Sequence, residues 1–181
     1  PITYWDLSGI NMPIELWEKI KVELLLNKPK IVNLQGLGEP MLSPLFWNMV
    51  DFAREQDIFL TFTTNASLLE AKHLDKLVKL RGSMSISLDS NNEDEYVWYR
   101  GDTTTFKHIY YLLDYWGKLV RRSKYVLMGL NINILVTLRN VFYLNEFIEQ
   151  LGNYHISGVV LITPEVKDRN DEISKMSITY F

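Results

Sequence analysis

Strand-like runs recur along this chain at nearly even spacing. They begin near Ile31, Ile58, Met84, Leu130 and Gly158, about 27, 26, 46 and 28 residues apart. Helical periodicity fills the gaps. A helix precedes the first strand, with Pro13 suited to its first position and Leu16, Trp17, Ile20 and Leu24 as its apolar face. A second follows Ser43-Pro44 with Phe46, Met49, Val50 and Ala53 inward, and a third carries Leu74, Leu77 and Val78. A fourth runs from about Thr105 with Ile109, Leu112, Leu113 and Trp116. The fifth holds Leu144, Phe147, Ile148 and Leu151, with Gly152 beyond its end. Every interval but the third has the length of one βα unit, so the pattern predicts parallel strands with helices outside. The third interval holds an insertion, Ser90 to Thr103, rich in acids and aromatics.

The strands alternate. Thr61, Thr63 and Asn65 oppose Leu60 and Phe62, and Ser83, Ser85, Ser87 and Asp89 oppose Met84, Ile86 and Leu88. Asn33 and Gln35 oppose Val32 and Leu34, while Asn131, Asn133 and Thr137 oppose Leu130, Ile132, Ile134 and Val136. Such alternation ordinarily marks an antiparallel sheet with one face in water. Crossover helices require a parallel sheet, so the apolar face meets the helices and the polar face is expected to line a concave interior. A closed eight-stranded barrel fills its interior with Val, Ile and Leu. This chain offers Ser, Thr and Asn, a lining for a polar ligand. Five strands are too few to close a barrel, which predicts an open partial one.

Between the first strand and the second helix lies Gly36-Leu37-Gly38-Glu39-Pro40. Its glycines permit a tight turn and close approach to a ligand, Glu39 adds a carboxylate and Pro40 stiffens the exit. The end of a strand leading into a helix is where α/β proteins build their sites. A Gly-rich turn by itself also suits a plain tight loop.

Composition narrows the class. The 181 residues are 47% apolar and 23% charged, a globular balance for one domain spanning 1–181. A net charge of −3 without Lys/Arg blocks argues against nucleic acid or an anionic membrane as main partner. The longest apolar stretch, Tyr125 to Val136, is broken by Asn131 and Asn133, so no membrane span is expected, and no signal peptide is visible. Zero cysteines exclude a disulfide framework and make the cytoplasm the default location. Beginning at Pro1 and stopping at Phe181 in mid-pattern, the chain reads as part of something longer.

In order, the chain presents strand–Gly36-Leu37-Gly38-Glu39-Pro40-Met41-Leu42, strand–Thr64-Asn65-Ala66-Ser67-Leu68-Leu69 and strand–Ser87-Leu88-Asp89-Ser90. Tyr99-Arg100-Gly101 leading to Thr105-Phe106 comes next, then Asn133-Ile134-Leu135-Val136-Thr137 leading to Asn140. Over nearly its whole length this series resembles the radical S-adenosylmethionine superfamily. The resemblance implies an α/β fold, a partial (β/α)6-type open barrel of parallel strands with outer helices. It also implies a [4Fe-4S] cluster held by three cysteines, usually Cys-x3-Cys-x2-Cys, after the first strand. The methionine amino and carboxylate groups of S-adenosylmethionine chelate the fourth iron. One electron, from a donor such as a flavodoxin or ferredoxin, cleaves the sulfonium to a deoxyadenosyl radical that takes hydrogen from a substrate.

Carried over by position, Gly36, Leu37, Gly38, Glu39 and Pro40 match the family's Gly-Gly-Glu-Pro element, which receives the methionine amino group. Here Leu37 stands for the first glycine of the pair, with Gly36 before it. Ser87 and Asp89 match positions that contact the carboxylate or ribose, and Arg100 suits bidentate pairing with that carboxylate. Asn133 and Thr137 fall near the ribose, Leu161 and Ile162 flank the adenine, and Thr64 and Asn65 lie near the reacting end.

Bland roles stand beside these. Glu39 suits an exposed loop acid, Asp89 a cap and Asn65 a turn. Arg100 also suits pairing with Glu93, Asp94 or Glu95. Tyr96, Trp98 and Tyr99 suit either packing over the barrel mouth or a partner surface.

The chain departs from the family in having no thiolate for a cluster. His73 and His108 fall in outer helices and His155 in a loop, so surface roles are expected for all three. The helix from Pro13 fits the one after the cluster loop, which places the first strand and its cysteines upstream of Pro1. Two other readings compete: a degenerate partial barrel acting as a binding or scaffold module, and an ordinary (β/α) enzyme. A Schiff-base enzyme needs a lysine at a strand end. Lys167 lies past the last strand, and it and Glu165 are substrate candidates by position alone. The substrate stays open among peptides, RNA, sugars and other enzymes.

Overall fold

In the computed structural model, which describes residues 11–36, 38–101 and 103–163, five parallel strands form one sheet in chain order. They are β1 (Ile31–Leu34), β2 (Phe59–Thr64), β3 (Gly82–Ser87), β4 (Met128–Leu135) and β5 (Gly158–Ile162). Neighbouring strands in sequence are neighbours in space, as single crossovers dictate. Six helices connect or precede them: α1 (Ile14–Asn27), α2 (Phe46–Glu55), α3 (Ala71–Leu77), α4 (Glu93–Arg100), α5 (Thr103–Arg122) and α6 (Leu144–Leu151). None is long and apolar enough to cross a membrane.

Leu60, Phe62, Met84, Ile86, Leu130, Ile132 and Ile134 are all buried on one face of the sheet. Against them pack Phe46, Val50 and Ala53 of α2, Leu74 and Leu77 of α3, and Ile109, Leu112, Leu113 and Trp116 of α5. These helix positions recur at three- and four-residue steps, which puts them on one stripe. The stripe of α1 is narrower than its sequence suggests. Trp17 is buried, edge-on to Phe52 with ring centroids 5.5 Å apart, but Leu16 is 46% exposed because one residue turns the helix by about 100°. Gly82 opens β3 where β2 leaves no room: a Cβ there would lie 2.2 Å from the carbonyl oxygen of Leu60.

The acidic insertion is a helix. Asn92 caps α4 by accepting from the Glu95 amide at 3.1 Å, and Gly101 ends it at φ 75°.

Among the described residues no helix covers the opposite face of the sheet, which is polar. The register aligns Asn33, Thr61, Ser83 and Gly129 in one row, Thr63, Ser85, Asn131 and Gly158 in the next, and Ser87, Asn133 and Val160 above them. Asn133 of β4 places its Nδ2 3.5 Å from the Thr63 hydroxyl on β2, passing over β3. In a flat sheet alternate strands stand about 9.6 Å apart. Contact between them means that this face is concave, with side chains from alternate strands meeting inside as they do in barrels.

Candidate functional site

The β1–α2 turn is tied to β2 by one carboxylate. Glu39 Oε1 accepts from the Thr64 hydroxyl at 2.7 Å and from the Met41 amide at 3.2 Å, while Oε2 accepts from the Asn65 amide at 2.7 Å. Pro40 starts the short 3-10 turn Pro40–Leu42 that leads to α2. Thr64 pairs in register with Ile86 and is buried on the helix side, so it supports the turn from below. Asn65 follows the strand and accepts from the amide and hydroxyl of Ser67, at 2.9 and 2.8 Å, closing an Asx turn. Gly36 and Gly38 sit in open space, where a Cβ on either would meet nothing within 4 Å, and neither has a left-handed φ. Neither a left-handed backbone nor a close protein neighbour therefore requires glycine here, and the backbone in front of both is open. Leu37 lies outside the described residues, as do Glu165 and Lys167.

Inside the concave face the polar groups bond among themselves. Asn131 Nδ2 donates to Ser83 Oγ at 2.6 Å and Asn33 Nδ2 to Gln35 Oε1 at 2.9 Å. One group is left over. Asn133 Oδ1 is buried and has no hydrogen-bond partner among the described residues. A buried acceptor without a donor is costly, and such atoms point to a missing ligand or water. No charged side chain occupies the three register rows.

Above those rows, the ends of β3 and β4 carry a buried knot. Asp89 Oδ1 accepts from the Leu135 amide at 2.8 Å and Oδ2 from Arg100 Nε at 2.7 Å. Arg100 thus pairs with Asp89 rather than with Glu93, Asp94 or Glu95, the three α4 acids expected for it; Glu93 pairs instead with Lys107 and Glu95 with Arg139. Thr137 is fully buried and its hydroxyl bonds that of Tyr99. Burial raises the Tyr99 phenol above its ordinary pKa, which keeps it a neutral hydrogen-bonding group. Asn140 closes the knot, donating to the carbonyls of Asp89 and Leu135 at 2.9 and 2.8 Å and accepting from the Thr137 amide at 2.8 Å. In the sequence Asn140 stands only as the end of a motif. The Thr-x-x-Asn spacing was its signal.

The three aromatic residues of α4 pack the helix down. Tyr96 is buried against Phe106, and Trp98 carries the Arg139 guanidinium 4.3 Å over its ring. Arg139 also forms a fork with Glu95 at 2.9 and 2.7 Å, and that bonding lowers the Glu95 pKa.

On β5 the register separates a predicted pair. Ile162 aligns with Leu135 and shares the Asn133 face, whereas Leu161 aligns with Ile134 on the other side. Successive residues of a strand point opposite ways, so Val160, level with Asn133, shares that face with Ile162.

The histidines serve the scaffold. Nδ1 of His73 accepts from the Glu70 amide at 3.1 Å, His108 Nε2 meets the Leu69 carbonyl at 2.6 Å, and exposed His155 meets Arg121 at 2.9 Å. His73 and His108 are half-buried rather than plain surface residues.

The sequence model of the Radical SAM superfamily matches residues 8–135. This chain belongs to that superfamily. Solved radical SAM structures share the fold. Streptococcus suis SuiB bound to S-adenosylmethionine superposes with a TM-score of 0.66 at 21% identity, over 89% of this chain and 36% of SuiB. Native anSMEcpe with bound AdoMet gives 0.67 at 19% identity, over 88% and 46%. TYW1 with a lysine-pyruvate adduct gives 0.63 at 17%, over 97% and 62%. The chain therefore spans between about a third and two thirds of these proteins.

S-adenosylmethionine and a [4Fe-4S] cluster are the cofactors of radical SAM proteins, and the residues described here fit the first. Hydroxyl and amino donors on the nucleotide suit the orphan Asn133 Oδ1, and the space at Gly36 and Gly38 admits a ligand against the backbone. They do not fit the second. The chain has no thiolate, and among the described residues no three of His, Cys, Asp and Glu converge to hold a metal.

Proposed function

We propose that this chain is the S-adenosylmethionine-binding core of a radical SAM enzyme. Beside a cluster ligated by cysteines outside these 181 residues, S-adenosylmethionine would supply a one-electron route to hydrogen abstraction. A flavodoxin or ferredoxin is the class of donor that fits.

In this reading the nucleotide lies along the upper row of the polar face. Asn133 Oδ1 accepts from a ribose hydroxyl, and the neighbouring Ser87 hydroxyl offers a second contact. Val160 and Ile162 wall the adenine, as Leu161 cannot from the other face. Backbone from Gly36 to Pro40 meets the methionine amino group, with Glu39 holding that turn against Thr64 and Asn65. Arg100 meets the carboxylate. Thr137 and Asp89 support these contacts from their buried positions. The observation that carries the reading is the buried Asn133 Oδ1, without a partner among the described residues, on a neutral polar wall in a chain of this superfamily.

The test uses the full natural protein reconstituted with iron and sulfide. Calorimetry should show S-adenosylmethionine binding that weakens about tenfold in Asn133→Ala, the worth of one good hydrogen bond. Reduction should release 5′-deoxyadenosine. Absence of both binding and deoxyadenosine would overturn the proposal. Binding without deoxyadenosine under full cluster loading would favour the second reading, a barrel that binds but does not react.

A further inference from the structure

Asp89 is the only charged side chain among the fully buried described residues. Burial of a carboxylate is unfavourable unless its oxygens are hydrogen-bonded and its charge is paired. Here each oxygen has a donor: the Leu135 amide of the β4 backbone binds Oδ1 at 2.8 Å, and Arg100 Nε binds Oδ2 at 2.7 Å. The main chain of Asp89 is pinned as well, its carbonyl accepting from Asn140 Nδ2 at 2.9 Å. The Asp89 side chain is 1% exposed and that of Arg100 is 35% exposed, so the carboxylate is enclosed by protein while the Arg100 side chain reaches the surface.

A guanidinium has two edges that can each grip a carboxylate, one containing Nε and one made of the two terminal nitrogens. Asp89 holds Arg100 through Nε, which leaves the terminal edge for another anion. We infer that Asp89 is a positioning residue that never touches the cofactor: it fixes Arg100, from α4, as the receptor for the methionine carboxylate. This rests on the reading that the site binds S-adenosylmethionine. It also reassigns Asp89, whose place on the Ser87 side of β3 suggested direct contact. Without Asp89, the long Arg100 side chain would sample many rotamers beside the acids of α4.

The experiment compares S-adenosylmethionine with its decarboxylated analogue on the reconstituted full protein. Wild type should bind both, the first more tightly. Asp89→Asn keeps an acceptor for Leu135 but sets an amide against Arg100. It should weaken S-adenosylmethionine about tenfold, as loss of an oriented charge-assisted pair does, and leave the analogue unchanged. Arg100→Gln should do the same, and the double variant should be no worse than either single one. Arg100→Lys, an exposed change that keeps the charge but loses the fork, gives the same readout if Asp89→Asn does not fold. It should lose the preference for the carboxylate at an unchanged melting temperature. Additive losses, equal weakening of both ligands, or a lower melting temperature with unchanged preference would overturn the inference. No binding of either ligand by wild type would instead overturn the reading it rests on.

Discussion

Asn133 and Thr63 meet at 3.5 Å across an intervening strand, and the bond between them is long enough to be weak. The other polar side-chain atom of Asn133, its Oδ1, is buried and has no donor among the described residues. Fold stability and ligand binding therefore make opposite demands on this residue. Asn133→Val removes the orphan acceptor and places a β-branched side chain in a strand. It should raise the unfolding free energy by about 1 kcal/mol, as unpaired buried acceptors cost about 1–3 kcal/mol. The same variant should lose most of its affinity for S-adenosylmethionine. Urea unfolding and calorimetry on one preparation would show the two effects diverging.

Glu39 is a second test of placement. Both of its oxygens accept, so Glu39→Gln must set an amide nitrogen against either the Asn65 amide or the Thr64–Met41 pair. The expected loss is about 1–2 kcal/mol, the cost of leaving a part-buried donor unmatched. Hydrogen exchange should show the excess opening at Asn65 and Met41 before the rest of β2.

Much of this architecture is legible in the sequence because it follows from periodicity. The inward residues of α2, Phe46, Met49, Val50 and Ala53, are those that are buried. Strand starts and the polar face of the sheet follow from alternation by the same logic. The site is less legible because its partners are set by tertiary contacts. Nothing at Asp89 announces that Leu135, 46 residues on, supplies its donor. Leu161 and Val160 differ by one position and thus by a whole face, which only the register decides. α4 shows no apolar periodicity because Tyr96 is its one buried side chain. Its signal was the capping pattern Asn92-Glu93-Asp94-Glu95, closed by Gly101.

The glycines divide into two classes with opposite expected responses. Gly82→Ala drives a Cβ to within 2.2 Å of the Leu60 carbonyl, an atom of backbone that cannot rotate away. Separation of β2 from β3 should cost about 3 kcal/mol, the upper range of ordinary overpacking. Gly36→Ala and Gly38→Ala meet nothing within 4 Å and should change stability by less than about 0.5 kcal/mol. If that space receives the cofactor, both variants should weaken S-adenosylmethionine binding while melting at the wild-type temperature. Thermal melts and calorimetry on the three variants would separate the classes.

His73 makes stability sensitive to mild acid. Its pKa is held below the ordinary value of 6.5, chiefly because burial disfavours the imidazolium, with Lys72 and Lys76 acting in the same direction and Glu70 against. Nδ1 accepts from the Glu70 amide at 3.1 Å, and only a ring unprotonated at that nitrogen can do so. The unfolded chain therefore takes up a proton at higher pH than the folded one. Stability from this group is complete above the unfolded value near 6.5 and is lost as pH falls below it through the folded value. His73→Gln keeps a side-chain acceptor three residues into α3, the place where Glu and Gln close capping boxes, and it does not titrate. The wild-type urea midpoint should fall between about pH 7.5 and 5.5, and that part of the fall should vanish in His73→Gln. Equal slopes in the two proteins would mean that some other group carries the acid response.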